Sequence, residues 1–250
     1  MQARPTQADY FRWGGLAAVV AGSLGIIFNL IHPRTTENVG NVRSHLEMIA
    51  GSDGWNFIHA GLALAVAIGV LGIIAIGLSM GATAGELWAR TWVLFAAVSS
   101  AVLLVVVAID GAAMKAVADR WAGSGDDAGV FAAAAGVEGV ATALFTVGVL
   151  MFFGISPLLL GMAVFTSGSY PKVLGQVSVV AGVLGLLTAL LMWIQGATVL
   201  NSVILFPIAS LVGTIVLIWA GWELWKSKGS LGSRADKTTT KIETPVVPGL

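Results

Sequence analysis

Six stretches of about twenty residues, almost free of charge, constrain this chain more than any other feature. They run approximately over 13–31, 57–80, 88–109, 139–164, 173–194 and 199–222. An apolar helix needs about 20 residues to cross the roughly 30 Å hydrocarbon core of a bilayer. A backbone in lipid must also satisfy its own hydrogen bonds, and Ala-, Leu-, Val- and Gly-rich runs of this length do so as helices rather than barrel strands. The pattern predicts an all-α, polytopic transmembrane bundle of about six helices with the lipid bilayer as its solvent. Composition agrees, with 57% apolar and 10% charged residues where an ordinary soluble domain carries about 25% charged.

The 13 basic and 13 acidic residues balance, so total charge leaves no footprint for nucleic acid. Their placement is more informative. With the N-terminus inside, the inner side holds Arg4, Arg12, Arg90, Lys172, Lys226, Lys228, Arg234, Lys237 and Lys241, and the outer side Arg34, Arg43, Lys115 and Arg120. Basic residues favour cytoplasmic loops, which predicts cytoplasmic termini and a multi-pass protein of the cell membrane, in a bacterium the inner membrane. Trp prefers the headgroup layer. Trp13, Trp88, Trp92, Trp219, Trp222 and Trp225 are expected in an inner belt, and Trp55, Trp121 and Trp193 in an outer one. The first run follows basic residues as a signal peptide would, yet it is long enough to span and lacks a small-residue cleavage site, so a retained helix is expected.

Local features refine the six spans. Apolar character around the fourth extends from Val130 to Phe165, too long for one straight crossing, and Gly154 and Pro157 are expected to kink it. Pro207 lies inside the sixth, where a neighbouring helix or a Ser such as Ser210 is a candidate to satisfy the freed carbonyl. Gly61, Ala65, Gly69 and Gly77 share one side of the second span and permit close packing on a neighbouring helix of the bundle. Residues 227–250 turn to Lys, Ser, Thr, Gly and Pro, predicting a disordered basic tail suited to the anionic inner leaflet.

The absence of cysteine excludes disulfides, thiolate metal sites and thiol catalysis. No Gly-Lys-Ser/Thr phosphate loop, H-E-x-x-H pair or G-x-S-x-G elbow is present. What remains are ionisable groups at membrane depth, which are costly and tend to mark pathways or ligand sites. His32 closes the first span, His59 opens the second, Asp110 closes the third and Glu138 opens the fourth, all at the outer boundary. Asn29 lies one turn below His32, Lys115 just beyond Asp110, and Gln195 and Asn201 flank the last connection, extending the same layer. His45 falls in Ser44 to Ile49, which reads as a short helix capped by Ser44 with Glu47 three residues on; it either covers the pocket or, the commoner case, stands as a surface histidine. The inner side offers only Glu86, Arg90 and Glu223.

Imidazole and carboxylate suit zinc, copper or non-haem iron, so His32, His59, Asp110 and Glu138 form a candidate metal set. The same residues admit a proton carrier at Glu138 or Asp110, or haem held by the two histidines. The plain alternative is that polar residues sit at helix ends because hydration and snorkelling remove most of their cost there.

The segment Ser167, Gly168, Ser169, Tyr170, Pro171, Lys172, Val173, Leu174 and Gly175 resembles a short inner loop in a family of bacterial multi-pass membrane proteins of unknown function. The Phe206 and Pro207 pair, with Leu211, Gly213, Leu217, Trp219, Gly221 and Leu224, is similar to that family's last helix. The likeness covers the C-terminal third, implies a six-helix bundle and supplies no catalytic residue. Three classes follow. The first is an accessory or regulatory membrane protein with an outward-facing polar ligand or metal site, compatible with a membrane-protein partner or a homo-oligomer. The others are a metal- or haem-dependent oxidoreductase or hydrolase, and a small proton-coupled transporter or lipid-binding protein. Whether the chain is an enzyme stays open.

Overall fold

The computed structural model describes residues 6–34, 36 and 39–227, and among them there is no strand. The elements are α1 (Gln7–Ile31), α2 (Val42–Ala50), α3 (Trp55–Leu78), α4 (Glu86–Ala108), α5 (Met114–Ala122), α6 (Ala128–Gly148), α7 (Ser156–Ser167), α8 (Lys172–Gln195) and α9 (Phe206–Lys226). π-Helical segments at Ile109–Ala113, Val149–Ile155 and Val199–Leu205 fuse α4 to α5, α6 to α7, and lead into α9. The result is six helices long and apolar enough to cross a membrane. Large apolar side chains such as Leu30, Phe57, Leu64, Leu71, Leu94 and Ile194 are exposed around the bundle, as lipid contact requires. Six crossings put Gln7 and Lys226 at one end, here called the terminal face, and the α1–α3 connection at the distal face. The tail expected to be disordered lies, beyond Ser227, outside the described residues.

Small residues bring the spans together. At the contact of α1 and α3, a Cβ on Gly72 would stand 2.7 Å from the Ala18 Cα; at that of α1 and α9, one on Gly15 would stand 2.6 Å from the Gly221 carbonyl oxygen. α1 is therefore clamped between the second and sixth spans. The small stripe of α3 is used within the bundle: Gly61 faces the Phe28 ring, Gly69 faces Ala21 and Gly77 faces Val93 of α4.

The third and fourth spans are longer than their apolar runs suggested. They cover Glu86–Ala122 and Ala128–Ser167, about 55 and 60 Å of helix at 1.5 Å per residue. Hydropathy stops where polar residues begin, near Asp110 and before Glu138, but the helices continue because their distal ends bury a face of their own. α5 and the first turns of α6 pack with α2 around Leu46, Ile49, Trp55, Met114, Ala118 and Trp121, forming a cap. Arg43 of α2 ties it down: its guanidinium pairs with Asp126 at 2.7 Å and lies 5.4 and 5.1 Å from the Trp121 and Phe131 ring centres. That hydrogen bond holds the Asp126 carboxyl below its ordinary value.

Several local expectations need correction. The break in the fourth span is a π-helical segment around Gly154 followed by Pro157 in the first turn of α7. Pro157 lacks the N–H that would bond the Phe153 carbonyl, and Gly185 of α8 packs directly against that oxygen. Ser210 does not serve the carbonyl freed by Pro207: its hydroxyl donates to the carbonyl of Pro207 itself at 3.1 Å. α2 is capped by Asn41, whose side chain accepts from the Ser44 N–H, rather than by Ser44. The tryptophans form no uniform belts. Trp13, Trp193 and Trp222 are exposed, but Trp55, Trp92 and Trp121 are buried in the protein, because partners there outcompete the headgroup layer; the Trp92 indole donates to the Ser156 hydroxyl.

Candidate metal centre

Each of the first three spans sends one side chain to a point under the cap. His32 is the C-cap residue of α1, where the chain leaves helical geometry before Pro33. His59 sits in the second turn of α3 and is buried. Asp110 lies in the π-helical segment Ile109–Ala113, a local widening of the kind often found at functional sites. Gly111 makes the approach possible, because a Cβ there would stand 2.5 Å from the His59 Cβ.

The His32 and His59 Nε2 atoms are 3.4 Å apart, and the Asp110 Oδ2 is 3.0 Å from His59 Nε2. The three side chains offer ligand atoms that all lie within 4.8 Å of one another. The outward sides of both rings are occupied: His59 Nδ1 faces the Trp55 carbonyl at 2.8 Å and His32 Nδ1 the Pro33 carbonyl at 3.0 Å. A carbonyl only accepts, so each Nδ1 carries the hydrogen; the two Nε2 atoms face inward, where that of His59 either offers its lone pair or carries a proton donated to Asp110. Burial, followed by neighbouring His59, lowers the pKa of His32, which stands just past the end of its span, to about 4 and keeps its ring neutral.

Trp55 anchors the arrangement. Its indole N–H donates to the Asp110 backbone carbonyl at 2.7 Å, locking α3 to the π-helical segment. Its ring lies 5.0 Å from His32 and 4.6 Å from His59, centre to centre.

A second pair stands in the same cavity, whose volume is about 320 Å³. His45 of α2 meets Glu138 of α6, Nδ1 to Oε1, at 3.0 Å, while Glu138 Oε2 is buried without a partner. His45 is therefore a half-buried wall of the cavity, the covering position rather than the surface one, because α2 folds down over the bundle instead of lying outside it. Glu138 shares the cavity but does not belong to the close cluster of His32, His59 and Asp110.

The other candidates divide. Asn29 lines the cavity and accepts a hydrogen bond from Arg34. Lys115 turns away, donating to the Ala50 carbonyl at 3.1 Å and to Asp119 at 2.6 Å. Gln195 is exposed. Asn201 is buried in a local capping box with Thr198 and donates to the Gly196 carbonyl at 2.8 Å. On the terminal face Glu86 pairs with Arg90 and Glu223 with Lys226, which gathers no site.

Sequence reasoning passed over Gly111 and put Trp55 in the outer headgroup belt rather than at the site. The four-residue spacing of Trp55 and His59, which puts both on one helix face, was the signal available. No protein family, no characterised protein and no solved structure matches the chain.

Proposed function

We propose that this is a membrane protein of accessory or regulatory type that holds one divalent transition-metal ion on the extracytoplasmic side, bound by His32, His59 and Asp110. The observation that carries the reading is the convergence of two Nε2 lone pairs and a carboxylate oxygen on one point, with both Nδ1–H groups already committed to backbone carbonyls. Three acceptors facing one another repel unless a metal ion or a shared proton lies between them, and a metal ion serves all three at once. A carbonyl behind each imidazole is also the usual outer support of a metal-bound histidine. Nitrogen ligands about 2.0–2.1 Å from a tetrahedral zinc stand roughly 3.4 Å apart, the spacing of His32 and His59. Two imidazoles and a carboxylate suit zinc, copper or non-haem iron. Nine basic residues against four support placing the distal face outside the cytoplasm.

Protein purified in zinc-supplemented medium is expected to carry about one metal ion per chain by elemental mass spectrometry. The His32→Ala, His59→Ala double variant is expected to carry none and His45→Ala to keep its ion. Wild-type protein that takes up no zinc, copper or iron would overturn the reading and leave a proton shared between His59 and Asp110 as the source of the geometry.

A further inference from the structure

The cavity beside the centre has two unlike ends. Ionisable and polar side chains crowd the distal end, whereas the end toward the bilayer midplane is apolar. Val66 lies seven residues below His59 on α3, Leu103 seven before Asp110 on α4, and Phe145 seven beyond Glu138 on α6, and all three line the cavity. Seven helical residues are about 10 Å, so an apolar chamber of that depth hangs beneath the polar cluster. Its floor is aromatic: Phe206 meets Phe145 and Phe153 with ring centres 4.8 and 5.5 Å apart. Thr142, one turn below Glu138, lines the cavity and is exposed.

Charge at the distal end selects the other half of the ligand. Arg34 starts from the distal end and reaches down to Asn29, one turn below His32, so that its guanidinium lines the cavity between the polar cluster and the Phe206 ring, 5.8 Å from that ring's centre, and pairs with no carboxylate among the described residues. A divalent ion together with Arg34 outweighs Asp110 and Glu138 by one positive charge. Three protein ligands also leave coordination positions open for an exogenous oxygen.

We infer that the cavity binds a single-chain amphiphile with a carboxylate head, the head on the metal and Arg34 and the aliphatic chain in the chamber between Val66, Leu103 and Phe145. This rests on the metal reading above. The ligand enters from the bilayer, past Thr142, chain and head moving between environments that match their own polarity.

Zinc-loaded protein in phosphatidylcholine nanodiscs, photolabelled with a diazirine-bearing long-chain fatty acid or the matching alcohol, tests it. Mass spectrometry is expected to place the acid's label on the α3, α4 and α6 segments that wall the chamber, about tenfold above the alcohol. Chelation is expected to bring the acid down to the alcohol's level. Val66→Trp, which fills the chamber, is expected to abolish the label while zinc stays bound. Arg34→Gln is a second variant, expected to lower acid labelling toward that of the alcohol. Equal labelling by acid and alcohol, or acid labelling indifferent to zinc, would overturn the inference while leaving the metal centre standing. A wild type that binds no metal would bring down both.

Discussion

At the scale of single residues, the proposed centre rests on groups outside its three candidate ligands. Trp55 fixes the π-helical segment that carries Asp110 through one hydrogen bond. Trp55→Phe keeps the ring and removes the donor, and is expected to weaken zinc binding about 10–100-fold, the usual effect of removing an outer support, in a competition titration with a chromophoric chelator. An unchanged affinity would show that the indole only fills space. Gly111→Ala places a methyl group against His59 and is expected both to weaken zinc and to cost about 1–3 kcal/mol through overpacking, read from thermal unfolding with and without metal. His32, His59, Asp110 and Glu138 were legible in the sequence because ionisable groups bordering apolar runs are few and costly. Gln195, Asn201 and Lys115 share their depth but not their direction. Hydropathy sets how deep a residue lies along a helix, whereas rotation about the axis is set by packing. Trp55 was misread for a related reason: a tryptophan at a helix end has the same composition signal whether it faces headgroups or protein.

The elements show where the single-span picture fails. Each π-helical segment precedes or interrupts a span and changes the face presented beyond it, and no hydropathy window resolves a change of one residue per turn. Gly154 and Pro157 marked the interruption of the fourth span correctly in position, but the compensation comes from α8, whose Gly185 leaves room beside the Phe153 carbonyl. Gly185→Ala is expected to push α8 away from that carbonyl and destabilise the bundle by about 1–3 kcal/mol, seen as a lower melting temperature without loss of zinc. Equal melting temperatures would mean that the interface yields freely. The cap was likewise hidden, because its helices are only locally amphipathic and their partners lie far off in sequence, 83 residues for Arg43 and Asp126 and 93 for His45 and Glu138.

For the whole molecule, the absence of native cysteine makes the orientation directly measurable. In intact cells, an Asp53→Cys variant is expected to react with a membrane-impermeant maleimide and Lys172→Cys only after lysis; the reverse pattern would put the metal centre on the cytoplasmic side. The six-helix architecture was readable from charge-free length alone, whereas the order in which helices touch was not. That order has a consequence for synthesis. α1 rests on α9 through Gly15 and Gly221, so α1 leaves the ribosome well before the helix that covers its second face. The nascent chain thus carries an exposed glycine seam until α9 has been made, and assembly of the bundle is licensed only then. Chains truncated before Val199 are expected to reach the membrane and be degraded within one pulse-chase interval, and co-expression of the missing segment as a separate peptide is expected to rescue them.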